Sequence, residues 1–366
     1  MAKCFSRFAQ PTIVVCWLAA ASLDSALHAM RTVARERHVA TQGDRGGVSV
    51  FQPLPYPRLV PAEMVMTPRT AARRGRQGVW SCCLRRKPVV YDFHELPSHL
   101  TENRWVLSHH RAEYSLVECV RSVVFLHSET LNIWTHLLGG LLFLYVAHQL
   151  YDGQYAGTVT LQALLTGLGF LVSAAAHTFT PYSESLYRLL FKMDRVGIAV
   201  FIGGALVASM HQCFRCDPVM QTTFVSLSTA VAFLAAVLNF GPSTNPRKRV
   251  LYAITYSIEV FSSGFPVLVE WNRSKSFPEA YDEFAHKSVH SMVVGTGFTY
   301  LLGGLASFFY ATNFPERIRP GTFDFLPGHS LMHIFALLAT LKFQEVTALW
   351  SGLSRDEHMS CGALGA

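Results

Sequence analysis

The sequence predicts an all-α membrane protein: a bundle of seven transmembrane helices with a cytosolic N-terminus, preceded by a largely disordered basic tail. Three observations carry this. Half of the 366 residues are apolar and only 15% are charged, with a mean hydropathy of +0.25. Soluble domains carry about a quarter charged residues, so too few polar side chains are present to cover a soluble surface, which argues against an ordinary cytosolic enzyme. Second, from Leu131 onward the chain becomes a series of apolar runs, each near the roughly 20 residues that cross a bilayer. Third, the net charge of +7 sits at one end: residues 1–126 hold 17 Lys and Arg against 9 Asp and Glu, and residues 127–366 hold 14 against 15.

The seven spans read as 131–150, 157–177, 194–212, 219–240, 250–271, 289–311 and 327–350. Short linkers separate them, marked by Asp152, Gly153, Pro181, Pro218, Gly241, Pro242, Pro278, Pro315 and Pro320. Helices that satisfy their own backbone are the simplest architecture in lipid. Alternate linkers form two sets. The set on the N-terminal side holds Arg188, Lys192, Arg247, Lys248, Arg249, Arg317 and Arg319; the other holds Arg215, Arg273, Lys275 and Lys287. With the basic tail added, the N-terminal side carries the excess and is expected to be cytosolic. Seven spans then put the C-terminus outside or in a lumen.

Residues 1–90 form a basic region. Over 31–90 it is rich in Arg, Pro, Gly and Thr and lacks an apolar period, which reads as disorder. Its first 30 residues place Lys3 and Arg7 before an apolar run, with Ala26 and Ala29 beyond it. That fits a secretory signal, an organelle transit sequence or a plain apolar patch. A cleaved signal would translocate the tail; the loop charges oppose it. No aromatics interleave with the basic residues as in a nucleic-acid groove, so the basic end is expected to meet a membrane surface or to be plain disorder. A juxtamembrane segment over 91–130, the heptahelical domain over 131–350 and a tail over 351–366 complete the organisation. The eight cysteines follow no framework spacing.

The last span opens with His329 and His333, four apart and therefore on one helix face. Two imidazoles so placed can share a metal, although the spacing alone is a weak signal. The second span ends with Ser173 and His177, and the third starts at Asp194. Alternation of spans brings all five residues to the same cytosolic depth, where ionisable groups are costly and usually functional. Three histidines with an open fourth position form a catalytic zinc arrangement. Asp194 would take a proton there and Ser173 would hydrogen-bond nearby. A polar cluster that merely packs helices is the competing reading.

This pattern resembles the progestin and adipoQ receptor family, related to hemolysin III, and is most similar to its adiponectin receptor branch. The resemblance rests on Glu129, Asn132, Trp134 and His136, on Ser173 and His177 with Asp194 seventeen residues on, and on His329 and His333. Phe314 to Arg317 and Arg319 to Asp324 match the segment before that family's last span. The resemblance runs from about Arg111 to Trp350. It implies a heptahelical bundle with its N-terminus in the cytosol and Zn2+ on His177, His329 and His333, with Ser173 and Asp194 close by. It also implies a cavity for ceramide or a free fatty acid and hydrolysis of ceramide-like amides, with Asp194 as base. Glu129, Asn132 and His136 read as structural, tying the first span to the juxtamembrane helix.

Several residues carry weaker signals. Glu259 falls within the fifth span with no assignable partner. Lys342 and Glu345 are expected to pair on one helix face. Cys213 and Cys216 read as a local disulfide or two free thiols. A triad of Ser173, His177 and Asp194 is sterically awkward, because Ser and His four apart on a helix are poorly placed for attack. Two functions remain. One is a zinc-dependent intramembrane lipid amidase linked to lipid signalling. The other is a receptor or lipid sensor, for an extracellular protein or lipid, in which zinc only braces the helices.

Overall fold

The computed structural model describes residues 89–151, 157–240, 246–353 and Cys361. The targeting segment read over 1–30 and the basic region as far as residue 88 lie outside the described residues. So does most of the C-terminal tail.

The described chain is helical, with a single antiparallel bridge between Tyr91 and His110. A short juxtamembrane helix, α1 (Leu116–Ser122), starts at a capping box in which Ser115 and Glu118 satisfy each other's backbone N–H groups. There follow α2 (Thr130–Tyr151), α3 (Gly157–Phe179), α4 (Glu184–Cys213), α5 (Pro218–Asn239), α6 (Pro246–Ser262), α7 (Phe265–Ser276), α8 (Glu283–Thr312) and α9 (Gly328–Leu353). Side chains set these boundaries. Ser183 accepts from the Leu186 N–H ahead of α4, Asp217 accepts from Val219 and Met220 ahead of α5, and Asp282 accepts from Ala285 ahead of α8. Asn313, in the left-handed region at φ 51°, ends α8.

Among the described residues, α3, α4, α5, α8 and α2 as far as Leu150 are long and apolar enough to cross a membrane. Their outward faces carry exposed Leu141, Tyr145, Phe233, Phe298 and Leu301, a covering that lipid tolerates and water does not. The chain is an integral, multi-pass, all-α membrane protein. The remaining two apolar runs fold as α9 and as the pair α6–α7.

Two boundaries differ from expectation. The third span begins at Glu184, ten residues before Asp194, because Ser183 caps it and Arg188 pairs with Glu184 one turn on. Asp194 therefore sits about three turns inside α4 rather than at its start. The fifth apolar run is not continuous. It breaks after Ser262, and Pro266, lacking an N–H, opens α7. At the break, a Cβ on Gly264 would lie 2.1 Å from Tyr300 Oη, so a larger residue there would displace the Tyr300 ring.

Sequential helices pack side by side from α2 to α5, and α8 packs along α9. Contacts of α9 with α2, α3 and α4 close the bundle. Small residues set the spacing: a Cβ on Gly203 of α4 would come within 2.2 Å of Ala232 Cβ on α5. The largest apolar cluster gathers Met210, Phe214, Val267, Met292 and Trp350 around the C-terminal end of α4. Near it Cys216 is bonded to Cys361, 145 residues away, while Cys213 is free and buried. Neither the local pair nor two free thiols is what forms: Cys213, the last residue of α4, turns onto the Pro266 carbonyl, while Cys216, in the following loop, is bonded elsewhere. Lys342 and Glu345 pair at 2.5 Å, as expected. Glu259 is fully buried, and neither carboxylate oxygen has a hydrogen-bond partner.

Candidate metal centre

The end of the bundle remote from that disulfide holds the histidines. His177 lies in the last turn of α3, and His329 and His333 occupy the first turns of α9. One ring nitrogen from each lies within 4.8 Å of the others, a grouping able to hold a metal ion. Ring centroids are 4.7 Å apart for His177 and His333, and 5.2 Å for His177 and His329. His177 and His333 are buried, and His329 is half-buried.

The donor set fits a cation. His329 Nε2 and His333 Nε2 lie 3.1 Å apart. Two ligand nitrogens at about 2.0–2.1 Å from a tetrahedral zinc stand about 3.3 Å from each other. His177 Nε2 is buried and has no hydrogen-bond partner, which leaves a lone pair directed into the group.

That lone pair is prepared by the other ring nitrogen. His177 Nδ1 lies 2.7 Å from Glu129 Oε2, so the carboxylate accepts a hydrogen bond from Nδ1–H, which keeps the proton there and leaves Nε2 free. Asn132 Nδ2 donates to the same Glu129 oxygen at 2.8 Å, and Ser330 Oγ donates to Asn132 Oδ1 at 2.6 Å. The chain of contacts thus runs from His177 of α3 through α2 to α9, next to His329. Burial opposes the charge on Glu129, but the hydrogen bonds from His177 and Asn132 prevail and hold its carboxyl below the usual carboxylate range.

The loop before α2 aims Glu129. His127 Nδ1 accepts from the Glu129 N–H at 3.1 Å, while its Nε2 faces the Ser122 carbonyl at 3.1 Å. Serving one acceptor and one donor role, the ring is neutral. Burial, assisted by the nearby Arg111, pushes its pKa down to about 3. Trp134 Nε1 donates to the Val123 carbonyl and ties α2 to the end of α1.

Ser173 is buried one turn before His177, and it lies within electrostatic reach of Asp194 of α4. Asp194 is also an electrostatic neighbour of His177. The structure therefore brings together all five residues singled out by spacing. It does not assemble the serine triad, since His177 turns its ring nitrogens to Glu129 and the histidine group rather than to Ser173. Two further residues join the group. Glu129 contacts His177 directly, beyond the structural role its motif suggested. The His136 ring is stacked between Phe170, at 4.6 Å, and His333, at 3.8 Å, with neither nitrogen hydrogen-bonded. The position of His136 one turn into the first span was the available signal.

Comparison with known proteins gives the family. A family model described as haemolysin-III related matches residues 124–344, more than half of the chain. The chain belongs to the haemolysin-III-related family. Among its relatives, heptahelical transmembrane protein 1 of Arabidopsis thaliana is 26% identical over 289 residues, covering 73% of this chain and 82% of that protein. The ADIPOR-like receptor IZH1 of Eremothecium gossypii is 28% identical over 286 residues, covering 74% and 88% respectively. Human membrane progestin receptor gamma is 27% identical over 282 residues, covering 74% and 83%. The haemolysin-III-related match includes Glu129, His177, Asp194, His329 and His333, and it begins after Arg111.

Proposed function

We propose that this chain is a seven-span, zinc-dependent hydrolase of ceramide-like lipid amides that acts within the membrane and releases a signalling lipid. The observation that carries the reading is the unpartnered His177 Nε2 facing the His329 and His333 nitrogens, with Asp194 an electrostatic neighbour of His177. His177, His329 and His333 would hold the zinc, which when bound would supply Lewis-acid polarisation of the amide carbonyl and activation of water. Glu129 holds His177 in the tautomer that binds. The Asp194 carboxylate, with Ser173 nearby, takes a proton from water and returns it to the leaving amine. Exposed Leu141, Leu164 and Leu338 on α2, α3 and α9 offer apolar contacts to lipid chains, and the ligand proposed is a membrane lipid such as ceramide or a free fatty acid.

The orientation follows from two separate features. The basic linkers favour a cytosolic N-terminus. Disulfides persist in oxidising compartments, which supports an outer or lumenal position for Cys216 and Cys361. The histidines lie at the other end of α4 and α9, on the cytosolic side.

Purified protein, assayed on a fluorescent ceramide with and without a chelator, tests the reading. Turnover that disappears on chelation, while the bundle stays folded, supports the hydrolase. Absent turnover, with chelation unfolding the bundle, supports instead a receptor or lipid sensor braced by zinc.

A further inference from the structure

A stretch upstream of the family match, residues 103–111, touches His177 and the supports of His329. At its start, Asn103 Nδ2 donates to Glu316 Oε1 at 3.0 Å. The other oxygen of that fully buried carboxylate accepts from the Gly328 N–H at 2.6 Å, one residue before His329. A Cβ on Gly328 would lie 2.7 Å from the Phe314 carbonyl oxygen, so the start of α9 is tightly seated. An anion there also suits the positive end of the helix dipole.

In the middle, Asp324 accepts from the backbone N–H groups of Leu107 and Ser108 and from Ser108 Oγ, at 3.1, 2.9 and 2.6 Å. This binds the loop between α8 and α9 to the stretch. His109, at φ 63°, turns the chain so that its carbonyl accepts from the Ser128 N–H at 3.0 Å, next to Glu129. At the end, the buried Arg111 guanidinium donates to the carbonyl of His177 itself at 2.6 Å. It also donates to the Thr178 carbonyl at 3.2 Å and to Ser122 Oγ at 2.6 Å. A cation on the last carbonyls of α3 occupies the negative end of that helix.

We propose that residues 103–111 are a positioning strap for the metal centre, with Arg111 and Glu316 as its two anchors. The proposal rests on the metal site argued above. Arg111 holds the backbone of His177, and Glu316 holds the backbone before His329, so their shared strap sets the separation of α3 from α9. Metal affinity depends steeply on that separation, because ligand nitrogens must converge to within a few tenths of an ångström. Neither residue touches the metal position; each acts through a ligand's main chain.

The test is a competition titration of the full-length protein in detergent, with Zn2+ against a chelating dye. It is paired with the ligand-field spectrum of the cobalt-substituted form and the melting temperature of the metal-free form. Arg111→Gln and Glu316→Gln are each expected to lower zinc affinity by 10-fold or more, in the range known for outer-sphere supports, and to alter the cobalt spectrum. Glu316→Gln puts an amide donor against a donor at Asn103 or Gly328. Arg111→Lys, which keeps the charge but not the fork, is expected to recover part of the loss. The exposed Arg188→Gln serves as the control, with unchanged affinity. Variants that lower only the metal-free melting temperature, leaving affinity and spectrum at wild-type values, overturn the strap. If Arg111→Gln does not fold, Glu316→Gln decides through the α9 anchor. Wild-type protein that binds no metal overturns the centre itself, a result distinct from tight wild-type binding with unaffected variants.

Discussion

Glu129 and His177 are 48 residues apart in the chain, yet Glu129 Oε2 lies 2.7 Å from His177 Nδ1. This contact fixes which histidine nitrogen is free for a metal. Glu129→Gln, a neutral acceptor, is expected to weaken metal binding by about 10-fold, and Glu129→Ala by up to about 100-fold. Competition against a chelating dye reads both, and equal affinities for the three proteins would contradict the orienting role.

The ligand set makes a separate prediction. Elemental analysis should return one metal ion per chain in wild type and a marked loss in His329→Ala. Metal at a hundredfold excess over Kd adds about 2.7 kcal/mol to stability. Chelation should therefore lower the melting temperature of wild type but not that of His329→Ala.

His127 predicts a pH dependence. Its folded pKa is depressed to about 3 from an ordinary value of 6.5. Between those values the unfolded chain binds the proton that the folded chain refuses, so this stabilisation is complete above pH 6.5 and is lost as pH falls toward about 3. Melting curves at pH 7.5 and pH 5 should show wild type losing more stability than His127→Asn, which keeps an acceptor for the Glu129 N–H. Identical losses would remove His127 as the origin.

Gly203 tests the bundle spacing. With Ala232 Cβ 2.2 Å from any added Cβ, Gly203→Ala must push α4 from α5. Overpacking of this kind costs about 1–3 kcal/mol, read as a lower melting temperature in detergent. Gly157→Ala, where nothing lies within 4 Å, is the comparison and should be neutral or nearly so.

The Cys216–Cys361 bond predicts topology. An impermeant thiol reagent added to intact cells should label Cys361 only after external reduction, and a protease should reach an N-terminal tag only after permeabilisation. A protease that reaches the N-terminal tag on intact cells would reverse the orientation.

Much of the site was legible because helical spacing is local. His329 and His333 share a face by their separation alone, and charge is so scarce in the spans that Ser173, His177 and Asp194 stood out. Glu129 was read as structural because its partner lies in another helix. No spacing rule connects residue 129 to residue 177. The break at Gly264 was missed for a similar reason: the apolar run is continuous in sequence, and only the approach of Tyr300 reveals why a glycine interrupts it. Cys216 found its partner 145 residues away, beyond any local reading.

Composition and apolar run length by themselves determined an all-α membrane bundle, since a bilayer demands long helices that close their own hydrogen bonds. The tertiary structure decided which polar groups meet. Packing of α2, α3 and α9 brings Glu129, Asn132, Ser330 and His177 into one chain of contacts. The upstream stretch from Asn103 to Arg111 joins the ends of α3 and α9 by hydrogen bonds to main-chain atoms. Such bonds depend on where the backbone passes, and side-chain pattern does not encode them.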